Sequence, residues 1–191
     1  MKNNEFLEKI KEEKDIFKKH LLFAVWISKR LKEKGLPLPI IVGGSAVEIY
    51  TGAFYVSGDI DIVFPYRKEF EQIIMDTGLF EKQGKNFISK ELGIYVEIVD
   101  DQLAGSYEKV NTIQIDKESE IKVIGIEDLI IDRLNSCVHW NSESDCELAE
   151  VLIKEFEGKL DINYLKKRSK EELVENKLKE LLKDENGNKV R

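Results

Sequence analysis

Cysteine, histidine, proline and long apolar runs are all scarce in this chain: it has two Cys, two His and three Pro among 191 residues. No uninterrupted apolar stretch comes near the roughly 18 residues a membrane-spanning helix requires. Met1-Lys2-Asn3-Asn4-Glu5 leads into a charged helix without an apolar signal region, so the expectation is a cytoplasmic protein with no membrane partner. A structural zinc site has no ligand set, because paired-cysteine clusters are absent. Cys137 and Cys146 fall in neighbouring helical segments and fit buried or idle thiols of a reducing compartment. His20 lies on the first helix and His139 has no nucleophile beside it, so neither a Ser-His-Asp nor a Cys-His arrangement can be assembled.

Positive charge is missing from the middle of the chain. Residues 1 to 35 hold ten Lys/Arg against six Asp/Glu, residues 36 to 153 nine against twenty-two, and residues 154 to 191 eleven against nine. An acidic centre is a poor surface for a polyanion, since phosphate binding draws on clustered Lys and Arg. DNA is therefore not expected as a partner, and an RNA would have to be held by the basic terminal helices. The more ordinary reading of those helices is solvated faces with i,i+4 pairing.

What is present is enough for one packed core with a helical appendage: 42% of residues are hydrophobic. Residues 4 to 34 place Phe6, Leu7, Ile10, Phe17, Leu21, Ala24, Val25, Ser28 and Leu31 near one helical face, which predicts a single long amphipathic helix ending at Gly35. The spacing then predicts a strand at Ile40 to Val42, a helix over 44–51, a strand over 59–64, a helix over 66–77, and a hairpin over 80–90 turning near Gly84-Lys85-Asn86. A strand over 94–99 and short strands near 112–115 and 121–124 complete a mixed sheet. Helices follow at 126–138, 143–157, 161–168 and 170–183, with Asp184 to Arg191 as a polar tail. The fold class expected is α/β (α+β), a mixed sheet flanked by helices. The expected division is a core over 1–125, a C-terminal helical region over 126–185 and a tail over 186–191.

The informative residues cluster in two places. Ile41-Val42-Gly43-Gly44-Ser45 reads as an apolar strand running through a glycine turn into a helix. Ser57-Gly58-Asp59-Ile60-Asp61-Ile62-Val63 follows after 13 residues separating Ser45 from Asp59. Backbone amides at a glycine turn, a helix N-terminus and a hydroxyl make a phosphate cradle. Carboxylates two residues apart on a strand point to one face, while Ile60, Ile62 and Phe64 pack on the other. Two acids beside a core are costly without a positive group between them, and a divalent cation is the usual solution. Cradle and cation together suggest a nucleoside triphosphate. The turn lacks the glycine spacing and lysine of P-loops, which excludes hydrolysis by that route.

This order and spacing resembles the signature of the polymerase-β-like nucleotidyltransferase superfamily, and most of all its small AbiEii-like and minimal members. The likeness covers about residues 38 to 150. It implies a third carboxylate on a later strand, for which Glu97 in Ile94-Tyr95-Val96-Glu97-Ile98-Val99 is the first choice, ahead of Asp100 or Asp101. It continues in Ile124-Gly125-Ile126-Glu127-Asp128-Leu129-Ile130-Ile131-Asp132-Arg133-Leu134, followed by an acid such as Asp145. Many relatives place an arginine a few residues before the acidic pair, where this chain reads Ala53-Phe54-Tyr55-Val56-Ser57.

The resemblance implies transfer of a nucleoside monophosphate from an NTP to a hydroxyl of a protein, a tRNA or a small molecule, with Mg²⁺ or Mn²⁺ as cofactor. Asp59, Asp61 and Glu97 would be catalytic and metal-binding. Gly43, Gly44, Ser45, Ser57 and Arg133 would bind the nucleotide, although Arg133 equally fits a salt bridge with Asp145. His139 and Trp140 fit a capping histidine beside a packed aromatic, or a base-stacking platform. An AbiEii-like role in toxin–antitoxin systems or phage defence would bring an antitoxin partner, and a homodimer is also open. The alternatives are a catalytically inactive nucleotide-binding module and a protein-interaction module with a vestigial pocket.

Overall fold

The computed structural model describes residues 3–183, with side chains from residue 5 onward; the expected tail at 184–191 lies outside the described residues. The chain divides into two compact units after Ile124. The first contains α1 (Asn3–Glu12), α2 (Ile16–Glu33), β1 (Ile40–Ile41), α3 (Gly43–Tyr50), β2 (Ile60–Val63), α4 (Arg67–Met75), β3 (Glu81–Gln83), β4 (Asn86–Ser89), β5 (Ile94–Asp100), a 3₁₀ turn at Tyr107–Lys109, β6 (Asn111–Asp116) and β7 (Ser119–Val123). The second contains α5 (Ile126–His139), α6 (Glu143–Glu155), α7 (Ile162–Glu171) and α8 (Glu175–Leu181). The expected mixed α/β class is found: one seven-stranded mixed sheet and eight helices among the described residues. None of these helices is long and apolar enough to cross a membrane.

The single long N-terminal helix is in fact two. Asp15 caps α2, its carboxylate accepting the Lys18 N–H at 3.0 Å, and the Glu13 carboxylate accepts the amides of Lys14 and Asp15 at 2.8 and 2.9 Å. Side chains that satisfy backbone amides compete with helix continuation. The apolar periodicity runs on through this break in the sequence, but the chain doubles back there: Lys29 of α2 lies 5.8 Å from the ring centroid of Phe6 in α1.

The sheet order is β3-β4-β5-β2-β1-β7-β6. β1 lies between antiparallel β2 and parallel β7, and β2 runs parallel to β5. One face of the sheet carries Ile60, Ile62, Phe87, Val96 and Ile98, all buried. Phe70 of α4 stands 6.0 Å from Phe64 and 5.8 Å from Phe87 between ring centroids, and Phe23 of α2 stands 5.8 Å from Phe80. Fully buried side chains of this size contribute about 1.5–3 kcal/mol each, enough to fix the strands and leave the opposite face to carry polar groups.

In the second unit, Cys137 of α5 and Cys146 of α6 form a disulfide, which corrects the expectation of two idle thiols. Neighbouring helices bring the two Cα atoms to 4.8 Å, inside the range a disulfide spans. The expected helix over 170–183 is shorter, beginning at Glu175 after Leu173 takes a positive φ of 60°. Asp161 caps α7 through the Tyr164 N–H at 3.0 Å, and its own N–H reaches Glu127 at 2.8 Å. The Tyr164 hydroxyl donates to buried Asp128 at 2.7 Å, with Arg168 also 3.6 Å from that carboxylate. Trp140 is not a packed aromatic: it caps the end of α5 and is 82% exposed, while the His139 ring bonds the Glu172 carbonyl at 3.0 Å.

Candidate functional site

The glycine turn is knitted to β2 through the backbone. Val42, at the end of β1, donates its N–H to the Asp61 carbonyl at 3.0 Å. Ser45 donates its hydroxyl to the Val42 carbonyl at 3.0 Å and accepts the Asp61 N–H at 3.2 Å. These bonds fix where the Asp61 side chain leaves the strand. Gly43 takes φ +59°, and a Cβ at that position would collide with the Asp61 carboxylate. Glycine is thus required at 43 twice over, for the left-handed backbone and for the close approach. No side chain caps α3, whose first residues are Gly43, Gly44 and Ser45.

Gly44 has a different reason. Its backbone is not left-handed, but a Cβ there would lie 2.9 Å from Ser57 Oγ and 3.4 Å from both the ring and the hydroxyl of Tyr55. Ser57 is buried and donates to Asp59 Oδ1 at 3.3 Å. β2 begins at Ile60, so Asp59 stands immediately before the strand rather than on it as expected.

The parallel pairing of β2 with β5 places Asp61 opposite Glu97, so the two carboxylates project from the same sheet face on adjacent strands. Asn86 of β4 is the next residue across, opposite Glu97. A cleft of about 290 Å³ opens there, lined by Gly58, Asp59, Asn86, Ile88, Tyr95, Val96 and Glu97. Asp100 pairs opposite Val63 and closes its own turn instead, accepting the amides of Asp101 at 2.7 Å and Gln102 at 3.3 Å. Its carboxyl is held below the usual carboxylate range, first by a side-chain hydrogen bond with Asp101 and then by those amides.

The structure therefore brings Gly43, Gly44, Ser45, Ser57, Asp59, Asp61 and Glu97 into one region of the first unit. Ser45 is 2% exposed and its single proton goes to Val42, so its hydroxyl serves the turn's geometry. Arg133 belongs to the second unit, where its guanidinium is engaged by Asp132 and, at 2.6 Å, by Asp145. A further pair was missed in the sequence: His20 Nδ1 of α2 lies 3.0 Å from Glu48 Oε2 of α3, both buried. The signal was Glu48 itself, an acid inside the otherwise apolar Ala46-Val47-Glu48-Ile49 run.

The carboxylates offer hard oxygen donors suited to Mg²⁺. Among the described residues no three His, Cys, Asp or Glu side chains group closely enough to hold a metal ion by themselves. That donor set fits a cation entering with a triphosphate, because Mg²⁺ is commonly held by one or two carboxylates together with substrate phosphates.

No known family's sequence model matches the chain, and no curated protein matches it in sequence. Its fold is nevertheless that of a solved structure, the crystal structure of an antigenic nucleotidyltransferase-like protein from Paracoccidioides brasiliensis. The TM-score is 0.57 at 16% identity, over 85% of this chain and 89% of that one. The chain thus has a nucleotidyltransferase-like fold.

Proposed function

We propose that the protein is a metal-dependent nucleotidyltransferase that moves an NMP from an NTP to a hydroxyl acceptor. The observation that carries this reading is the Asp61–Glu97 register beside a glycine turn that presses against the Asp61 carboxylate. In this reading the first-turn amides of α3 hold the terminal phosphates. Asp59, Asp61 and Glu97 are the residues that would hold Mg²⁺ or Mn²⁺, which supplies charge neutralisation at the phosphates and activation of the acceptor. Where Glu97 serves as base instead of ligand, it takes the acceptor hydroxyl's proton as the acceptor oxygen bonds to the α-phosphorus, the α–β bridging P–O bond breaks, and pyrophosphate leaves. Positioning and electrostatics do most of this work, with no covalent intermediate on the chain. Arg133 is left to the α5–α6 contact, since two carboxylates already meet its charge. The AbiEii-like likeness in the sequence supports a toxin–antitoxin or phage-defence setting.

The test is to incubate the protein with Mg²⁺ or Mn²⁺ and each α-labelled NTP in a cell extract, beside an Asp59→Asn/Asp61→Asn variant of equal thermal stability. Label transfer and pyrophosphate release with the wild type alone are expected, and the labelled band names the acceptor class. Binding of an NTP without turnover would assign the pocket to a sensor, and neither binding nor turnover would leave an interaction module.

A further inference from the structure

We infer that the Tyr55 hydroxyl, rather than that of Ser45, is the side-chain donor to the terminal phosphates of the bound triphosphate. The inference rests on the nucleotidyltransferase reading and adds to it a residue that no sequence signature marks. Ser45 cannot supply that donor where it stands, because its one proton is committed to the Val42 carbonyl and its oxygen already accepts from Asp61.

The loop after α3 offers a replacement. Gly52 at φ +59° and Ala53 at φ +70° turn the chain back, fixed by the Ala53 N–H on the Glu48 carbonyl at 3.0 Å. A left-handed alanine is uncommon, and strain of this kind gathers where geometry serves a site. Beyond the turn the side chains alternate. Phe54 is 75% exposed and Val56 50% exposed, while Tyr55 and Ser57 face Gly44. Helical Cβ vectors tilt toward the N-terminus. A group packed against the Cβ position of Gly44 therefore lies toward the end of α3 from which its first-turn amides point. The Tyr55 hydroxyl oxygen is 3.4 Å from that position. It hydrogen-bonds no other group among the described residues, so its proton is available to a phosphate oxygen. The other hydroxyl against Gly44, that of Ser57, is turned to Asp59.

The experiment is a calorimetric titration, with Mg²⁺ present, of the α,β-methylene analogues of ATP, GTP, CTP and UTP, which cannot release pyrophosphate, and of the matching NMPs. Wild type, Tyr55→Phe and Phe54→Ala are compared. A hydrogen bond to a charged group accounts for about tenfold or more in affinity. Tyr55→Phe keeps the ring against Gly44 and is expected to bind the triphosphate at least about tenfold more weakly while binding the NMP as before. Phe54→Ala, at the 75% exposed position beside Tyr55, is expected to leave the ratio of the two affinities unchanged. That ratio is internal to each variant, so a partly unfolded sample does not distort it. An unchanged ratio in Tyr55→Phe, or one lowered equally in Phe54→Ala, overturns the inference. A wild type that binds no triphosphate refutes the nucleotidyltransferase reading itself, and the role of Tyr55 falls with it.

Discussion

Alanine substitutions at Gly43 and Gly52 separate backbone strain from the crowding that holds Asp61. Both glycines sit at φ +59°, but Gly52 has nothing within 4 Å of an added Cβ, whereas at Gly43 that atom would strike the Asp61 carboxylate. Left-handed backbone costs an L-residue about 1–2 kcal/mol, and the stiffer unfolded chain returns about 0.4–1 kcal/mol of it. Gly52→Ala should therefore destabilise by at most about 1.6 kcal/mol. Gly43→Ala bears the same term plus the overlap, which Asp61 cannot relieve easily because its N–H and carbonyl are tied to Ser45 and Val42. Overpacking of a fixed neighbour costs about 1–3 kcal/mol, so the two variants should differ by that amount. Urea unfolding read through the midpoint at constant slope measures the gap, and thermal melts should show about 2–4 °C per kcal/mol. Triphosphate binding should vanish in Gly43→Ala and persist in Gly52→Ala. Equal destabilisation of the two variants would mean that Asp61 does not press on the turn, and the argument for the site's rigidity would fail.

The remaining predictions concern the second unit. Reducing Cys137–Cys146, whose partners are 9 residues apart, should lower stability by about 2–3 kcal/mol. Thiol titration in denaturant should find no reactive cysteine before reduction and both after it; two titrating thiols in the unreduced chain would contradict the bridge. Burial, and next the hydrogen bond to Asp128, push the Tyr164 phenol from 10.0 up to about 12. The folded state then keeps a proton that the unfolded chain loses, so the stabilisation is full below pH 10 and declines as pH rises from 10 toward 12. Urea midpoints across that range should fall more steeply for the wild type than for Tyr164→Phe, and parallel curves would count against it.

Local pattern carried much of the fold and the nominal site. The Ile41-to-Ser45 turn, the Asp59–Asp61 pair and the acid within Ile94–Asp100 were legible because period-two alternation and glycine chemistry act over a few residues. Their mutual placement was not, since the register that sets Asp61 against Glu97 joins strands more than thirty residues apart. The helix break at Asp15 was hidden by an apolar stripe that survives it. The bridge between Cys137 and Cys146 was hidden because spacing alone does not give the Cα distance. At Ser45 the residue type suggested a phosphate ligand, and what the sequence did not show is that the hydroxyl donates back to the Val42 carbonyl. Glu48 and His20 come from separate helices, and only packing reveals that each neutral-looking helix face contains half of a buried polar pair.

The placement of β1 has a consequence for how the chain is made. This two-residue strand is hydrogen-bonded on one side to Ile62 and Val63 and on the other to Lys122 and Val123. During synthesis, the strand leading into the glycine turn waits for residues some eighty positions downstream before its second edge is covered. Pairing at such separation is slow, and an exposed central edge next to apolar isoleucines is open to other chains. Fragments ending before Ser119 should therefore misassociate instead of yielding a smaller working core, because the strand that leads into the glycine turn has no second neighbour until β7 is made.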